Sequence, residues 1–442
     1  MRQPVLKSTF GQKNKWRWTM IGGLKQTTSR LAIAAAAGLF TGGIALTPAL
    51  AADLGGDCCA DLEERVAELE ATTVRKGNRK VSVKLSGQVN RAILWWDDGE
   101  DTDVYFVDNE QSNSRFRITG SATISPGRTA GFRIEADWFI QNNSSTVRNC
   151  VDTDFVGAQC QALANTIGNS ISASGSSTAS GVTDMRWTEV WIKDETLGKV
   201  SLGKGDTASN GTSEVDLSGT SVAQYSGMAD VGNSFQFRVS GTGGFNGVSL
   251  GDVYSNLDGL SRRNRIRYDT PSFGGFTLST SYGADDFVDG ALRFKKEWNS
   301  VRCAWAGAFA HDTNADDEDF WRYSTSGSCI HTPSGLNLTL GYAEDDEGSS
   351  SSTDHQWWFV KLGISRRWNS HGKTSISVQY AQNEDALSSG DETESWGVAF
   401  VQNIDSAAME LFMAYSHHEY SDNSVVSYQD LDFFLMGTRI KF

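Results

Sequence analysis

From residue 80 onward the chain alternates apolar and polar residues with a period of two, and this constrains its fold more than any other feature. In segment 276–282, Phe276, Leu278, Thr280 and Tyr282 fall on one face, and Thr277, Ser279 and Ser281 on the other. Segment 336–343 repeats the pattern, with Leu336, Leu338, Leu340 and Tyr342 against Asn337, Thr339 and Gly341. Ile376, Val378 and Tyr380, then Trp396, Val398 and Phe400, then Leu411, Met413 and Tyr415 continue it. Successive side chains of a strand point to opposite faces, so each segment reads as a strand with one oily and one hydrophilic side.

A soluble sandwich alternates in the same way, so the connections must distinguish the two. Short turns such as Ser125-Pro126-Gly127, Thr332-Pro333-Ser334-Gly335 and Asn369-Ser370-His371-Gly372 alternate with longer acidic stretches at 97–103, 283–289, 312–319, 344–354, 382–393 and 417–427. Short turns at one end and long loops at the other are the layout of an outer-membrane barrel. Aromatic residues gather near the expected strand ends (Trp95, Trp96, Trp298, Trp357, Trp358, Trp368, Tyr380, Tyr415), where interfacial girdles lie. In lipid every backbone polar group needs an internal partner, so such strands span only as a closed cylinder. The expected fold class is therefore all-β: a transmembrane antiparallel β-barrel of about 16 strands over 80–442, wide enough to hold water.

The N-terminus addresses the chain for export. Arg30 precedes an alanine-rich apolar run over 31–46 that ends in Pro48-Ala49-Leu50-Ala51. A basic segment, an apolar segment and an Ala-x-Ala site make a secretory signal peptide, here residues 1–51, with Met20 as an alternative start. Its removal takes away seven basic residues and no acidic ones, moving the formal charge from −15 to −22. So acidic a mature chain repels phosphate backbones, and nucleic acid is excluded as a partner. Over 61–73 the sequence DLEERVAELEATT places Leu62, Val66, Leu69 and Thr73 at coiled-coil spacing, so 52–79 is expected to be a short periplasmic coiled-coil or linker.

Six cysteines in an exported chain point to disulfides. Cys303 and Cys329 are centred on residue 316, within the acidic stretch 312–319. If that stretch is a hairpin loop, the two face each other across adjacent strands at a bridgeable spacing; the alternative is two free small hydrophobes. Cys150 and Cys160 are candidates to close a small polar loop, and the adjacent Cys58 and Cys59 to pair between chains.

Three places resemble the general porins of Gram-negative bacteria, and particularly the alphaproteobacterial porins that carry a short coiled coil after the signal. Leu197-Gly198-Lys199-Val200-Ser201-Leu202-Gly203-Lys204 is similar to the turn and strand before that family's pore-constricting third loop. Asn264-Arg265-Ile266-Arg267-Tyr268-Asp269-Thr270-Pro271-Ser272-Phe273-Gly274-Gly275-Phe276 is similar to the strand and turn that follow it. The terminal Phe442, after alternating Phe434, Met436 and Ile440, is similar to the signal read by barrel-assembly machinery. The resemblance implies a homotrimer of 16-stranded barrels among outer-membrane lipid and lipopolysaccharide, each pore narrowed by a folded-in loop, here 205–262. That segment is long, and 234–239 with 247–253 could be two more strands, as in the larger sugar-selective porins. An enlarged loop holding a small hairpin is preferred, because the following motif then falls in its family place.

A pore selects by width and lining charge. With Phe116, Ile118, Ala122 and Ile124 toward lipid, Arg115 and Arg117 point inward, and segment 131–140 similarly turns Arg133 inward. Ile266 and Tyr268 toward lipid put Arg263, Arg265 and Arg267 in a ladder along the lumen. A charge facing lipid at mid-depth costs about 2–4 kcal/mol, which fixes this side assignment. The constriction segment supplies Asp206, Glu214, Asp216 and Asp230. An acidic loop facing an arginine wall sets up a transverse field that orients water and disfavours apolar solutes. Lumen arginines favour anions while an acidic mouth attracts cations, so charge alone leaves the ion preference open. No cofactor is implied. His417-His418-Glu419 makes a poor metal site, the acidic loops lack a calcium-loop pattern, and no catalytic motif is present. The competing functional classes are an adhesin or receptor barrel and a membrane-embedded hydrolase.

Overall fold

Alternation becomes a closed wall because every stave of the wall finds a partner on both sides. The computed structural model describes residues 80–137, 143–149, 184–283, 286–315, 318–346 and 354–442. The export segment, the coiled-coil segment, Cys58, Cys59, Cys150 and Cys160 lie outside the described residues. The strands are β1 (Ser82–Asp97), β2 (Thr102–Asp108), β3 (Arg115–Ser125), β4 (Arg128–Asp137), β5 (Asp184–Asp194), β6 (Gly198–Asp206), β7 (Gln236–Arg238), β8 (Phe245–Ser249), β9 (Arg262–Asp269), β10 (Phe276–Gly283), β11 (Val288–Trp298), β12 (Val301–Ala315), β13 (Glu318–His331), β14 (Leu336–Asp346), β15 (Gln356–Arg366), β16 (Thr374–Glu384), β17 (Glu392–Ile404), β18 (Met409–Ser421) and β19 (Leu431–Lys441). β2 and β3 pair with the upper and lower halves of β1 and together act as one broken stave. β1 and β19 pair antiparallel and close the cylinder at 16 staves. β7 and β8 pair only with each other, so the hairpin inside 205–262 adds no stave.

The two faces separate as the alternation requires. Leu278 is 54% exposed and its neighbour Ser279 1%; Leu340 is 52% exposed and Thr339 2%. The outward side chains form the hydrocarbon-facing belt, and among the described residues no helix is long and apolar enough to cross a membrane. Trp96 and Trp357 depart from the girdle expected of them: both are buried in the lumen, while their neighbours Trp95 and Trp358 take the outer face. Consecutive strand residues cannot share a face, so only one tryptophan of each pair can meet lipid.

The turns at 126–127, 332–335 and 367–373 fall at one end, and the connections 207–261, 385–391 and 422–430 at the other. Pro126-Gly127 closes its hairpin because Gly127 takes φ +76°, which a following turn position needs and a side chain disfavours. Within the stretch 312–319, residues 312–315 and 318–319 are corrected from loop to strand: pairing continues through Asp312–Phe320 to Ala315–Glu318. His311 stacks on Trp321 at 4.3 Å and Arg263 neutralises Asp312 at 2.5 Å, which removes the usual reasons for a polar stretch to leave the ladder. At the seam Gly87 and Phe442 exchange backbone hydrogen bonds of 2.8 and 3.0 Å, and the Phe442 ring lies where a Cβ on residue 87 would be.

Candidate functional site

The connection 207–261 folds into the barrel and is stitched to its inner wall. Each polar residue of an inward row on β13 meets it in turn: Ser324 Oγ bonds Thr212 Oγ1 (2.6 Å), Ser326 Oγ accepts from Val215 N (2.9 Å) and Ser328 Oγ from Leu217 N (3.0 Å). Ser281 Oγ and Asp289 hold its start, accepting from Ala208 N and Ser209 N. Ser377 Oγ bonds Thr220 Oγ1 on the far side. The β7–β8 hairpin fills the outer part of the lumen, where Phe235 packs on Trp96 and Phe433 at centroid distances of 5.2 and 4.9 Å. A two-residue repeat of inward hydroxyls thus docks an extended chain as a missing neighbour strand would.

What the loop leaves open is a cavity of about 610 Å³ with opposed charges. Arg115, Arg186, Arg262, Arg322 and Arg439 line it from the wall, and Glu110, Glu214, Asp230 and Asp258 from the loop and from the break between β2 and β3. Among the described residues none of these four carboxylates has an arginine or lysine within 4.0 Å. The arginines are held from behind instead. Arg186 bonds Asp137 (2.8 Å), Arg322 grips Asp345 through two nitrogens (2.5 and 2.6 Å) and Arg439 bonds Glu410 (2.5 Å). Opposite charges therefore stay separated across the opening, and the field between them is fixed by the scaffold.

Burial shapes the acidic side. The Asp230 carboxyl is pushed up to about 6 by desolvation, partly offset by the Tyr225 hydroxyl that donates to it at 2.5 Å. Desolvation also raises Glu110, to about 7, with the Asp230 charge adding to it. Glu214 lies well above the usual carboxylate range and Asp258 above it, both mainly through burial.

Of the residues singled out by sequence, Arg115, Glu214 and Asp230 line the cavity. Arg117 and Arg133 stand behind it, both donating to the fully buried Glu135. The arginine ladder on β9 is corrected. Arg265 is 4% exposed and sits under the base of the loop, bonded to Glu189 (2.6 Å) and to the carbonyls of Asp206 and Gly203. Arg267 holds Asp269 and the Thr207 carbonyl, and Arg263 holds Asp312. The incoming chain needs its carbonyls satisfied where it leaves β6, and Arg265 and Arg267 do that in place of lining water. Asp206 pairs with Arg262 (3.2 Å) at the strand end. Asp216 points away from the opening to Lys361. Cys303 and Cys329 are joined, with Cα atoms 4.1 Å apart on the outer face of β12 and β13.

Several lining residues were missed. Arg322 and Arg439 were readable, being inward by alternation beside the lipid-facing Trp321, Tyr323 and Ile440. Arg186 was not: counting back from Val190 and Ile192 turns it outward, but Glu135 pairs with Trp187 and Ala136 with Met185, leaving Arg186 as the extra residue of a bulge that swings it inward. Glu110 and Asp258 sit in irregular segments with no periodicity to place them.

A closed cylinder with an oily exterior, and a folded-in loop bounding a charged opening, is a transmembrane diffusion barrel. The sequence profile of the Gram-negative porins matches residues 32–423, and the chain belongs to that family: it is an outer-membrane porin, a water-filled channel for passive diffusion of small hydrophilic solutes. Among solved structures it is similar to the anion-selective porin from Comamonas acidovorans, at 17% identity over 82% of this chain and 100% of that one, with a TM-score of 0.53. It is also similar to OmpT of Vibrio cholerae, at 12% identity over 83% and 99% of the two chains, with a TM-score of 0.51. A trimer form of OmpT matches at 12% identity over 82% and 99%, with a TM-score of 0.50. No curated protein matches the sequence significantly.

Proposed function

We propose that this porin passes small anions in preference to cations. The observation that carries the reading is that Arg439 lines two cavities at once. One is the charged opening; the other, of about 350 Å³, is also lined by Arg302, Lys373 and Lys441 with Glu410 as its one carboxylate. A cationic wall thus runs from the constriction into the adjoining vestibule. On the opposite side, burial raises the carboxyls and favours their neutral form, which weakens the competing charge. The strongly acidic mature surface concentrates cations outside, but the narrowest, least hydrated point weighs most in selection. The Comamonas porin is described as anion-selective; at its low identity the proposal rests on the charges of this chain.

In this reading residues 1–51 are cleaved on export, and 52–79 form a periplasmic segment. The mature barrel assembles as a homotrimer among lipid and lipopolysaccharide, and Phe442 is read by barrel-assembly machinery. The function involves no catalytic step. The test is the reversal potential of the purified channel in a planar bilayer under a potassium chloride gradient. A potential of the sign set by chloride supports the proposal, and Arg186→Ala with Arg439→Ala should move it toward the potassium side. A wild-type potential on the potassium side refutes it.

A further inference from the structure

His417 and Glu419 on β18 face Asp432 and Asp430 of the neighbouring chain segment on one surface of the barrel. Pairing sets His417 opposite Asp432 and His418 opposite Leu431. His418 and Leu431 are both 0% exposed and occupy the lumen side, so alternation turns the other four outward, near the rim that carries the long connections. By sequence His417 and Glu419 are two ligands at most. The fold adds a third, Asp430, and the ligand atoms of His417, Glu419 and Asp430 lie within 4.8 Å of one another.

We propose that His417 Nε2 and one oxygen each of Glu419 and Asp430 form a binding site for a zinc-class divalent cation, with Asp432 as a positioning residue. Metal–nitrogen and metal–oxygen bonds of about 2.0–2.2 Å in tetrahedral geometry place ligand atoms roughly 3.3 Å apart. Nε2 is 3.0 Å from Glu419 Oε1 and 3.9 Å from Asp430 Oδ2, so small torsions of two side chains that are 56% and 53% exposed close the site. The imidazole itself is held. Its Nδ1 lies 2.7 Å from Asp432 Oδ1, and the Tyr415 hydroxyl donates to the same oxygen at 2.5 Å. A carboxylate behind the ring of a ligating histidine fixes the tautomer that leaves Nε2 for the metal. The fourth position faces outward.

Charge points the same way. Among the described residues the only cationic group within 4.0 Å of Glu419, Asp430 or Asp432 is His417. Glu394 stands in register beside Glu419, and Asp97 beside Asp432. The metal takes the Nε2 lone pair, which the Asp432 carboxylate at Nδ1 leaves free. An imidazole among carboxylates favours borderline cations over calcium and magnesium, which prefer oxygen alone. Asp430 also ends the 422–430 connection, whose Ser427 and Gln429 bond the backbones of Ser240 and Arg238 in the inserted loop. A bound ion would therefore steady the mouth.

Titration calorimetry of the untagged protein in detergent with zinc chloride tests this. One saturable site is expected, at least tenfold weaker for calcium and magnesium. His417→Gln should abolish it, Asp432→Asn should weaken it about 10- to 100-fold, and His371→Gln, at the opposite end, should leave it unchanged. Heat-modifiable migration checks folding of each variant. Should His417→Gln misfold, cobalt added to the wild-type protein must give the visible bands of a low-coordinate nitrogen and oxygen site. An isotherm that survives His417→Gln in a folded barrel, or absence of both zinc heat and cobalt bands in the wild type, overturns the proposal.

Discussion

Lys361 Nζ lies 2.8 Å from Asp216 Oδ2, with the lysine wholly buried, so the inserted loop is fastened to β15 by an ion pair out of contact with bulk water. The same ammonium donates to the Gln224 carbonyl at 2.7 Å, holding two points of the loop with one side chain.

Removing one partner of such a pair strands the other. Lys361→Met or Asp216→Asn is expected to lower unfolding stability by about 3–5 kcal/mol, whereas Lys361→Met with Asp216→Leu should recover most of it. The single variants should also widen the opening and add current noise. Thermal unfolding and single-channel recording read the two effects; equal stability of single and double variants would show that the pair does not fasten the loop.

The raised carboxyls set a pH dependence whose sign follows directly. A carboxyl with a raised pKa is neutral below it and charged above it, while the facing arginines stay charged throughout. Between pH 8 and pH 5 Glu110, at about 7, and Asp230, at about 6, gain protons, and the acidic side of the opening loses charge. Anion preference is expected to rise as pH falls through this window. Reversal potentials across the range check it, and Glu110→Gln with Asp230→Asn should flatten the curve at its low-pH value.

The wall was legible because membrane and water select opposite faces so strongly that a period of two survives across the barrel, and Arg115, Arg117 and Arg133 reach Glu135 on its inner side. It misled where the ladder slips or where a residue was judged by type alone. The bulge at Arg186 reverses its side, and Trp96 and Trp357 were counted as girdle because they are tryptophans. Inward did not mean water-lining: Arg265 and Arg267 face the lumen, yet lie beneath a loop whose path no local pattern gives. Glu110 and Asp258 reach the opening through that path. Lys361, between apolar neighbours on an alternating strand, was a buried anchor that the pattern offered and that went unselected.

Glu135 gathers four guanidiniums, with Arg117 and Arg133 donating directly and Arg186 and Arg115 at 3.3 and 3.6 Å. Its carboxylate is fully buried, so Glu135→Gln leaves four cations facing one another around a neutral group. A stability loss of about 3–5 kcal/mol is expected, together with stronger anion preference from the added positive charge. Denaturant unfolding and reversal potential in the same preparation test both; a shift in selectivity toward potassium would contradict the placement of this cluster behind the arginine wall.

The Cys303–Cys329 bridge joins strands that are already paired in register, so its contribution comes from the unfolded chain more than from the barrel. Closing a loop with a sequence separation of 26 lowers unfolded-state entropy by an amount worth about 3.5 kcal/mol. The bridge lies on the outer face, in line with Trp305 and Phe309 and away from the opening. Cys303→Ser with Cys329→Ser should therefore fold, keep its conductance and selectivity, and unfold at lower denaturant, as should the reduced wild-type protein. A double variant as stable as the oxidised wild type would mean that the barrel fixes this hairpin even in its denatured ensemble. A change in selectivity would mean instead that β12 and β13 shift when unlinked and carry Arg322 with them.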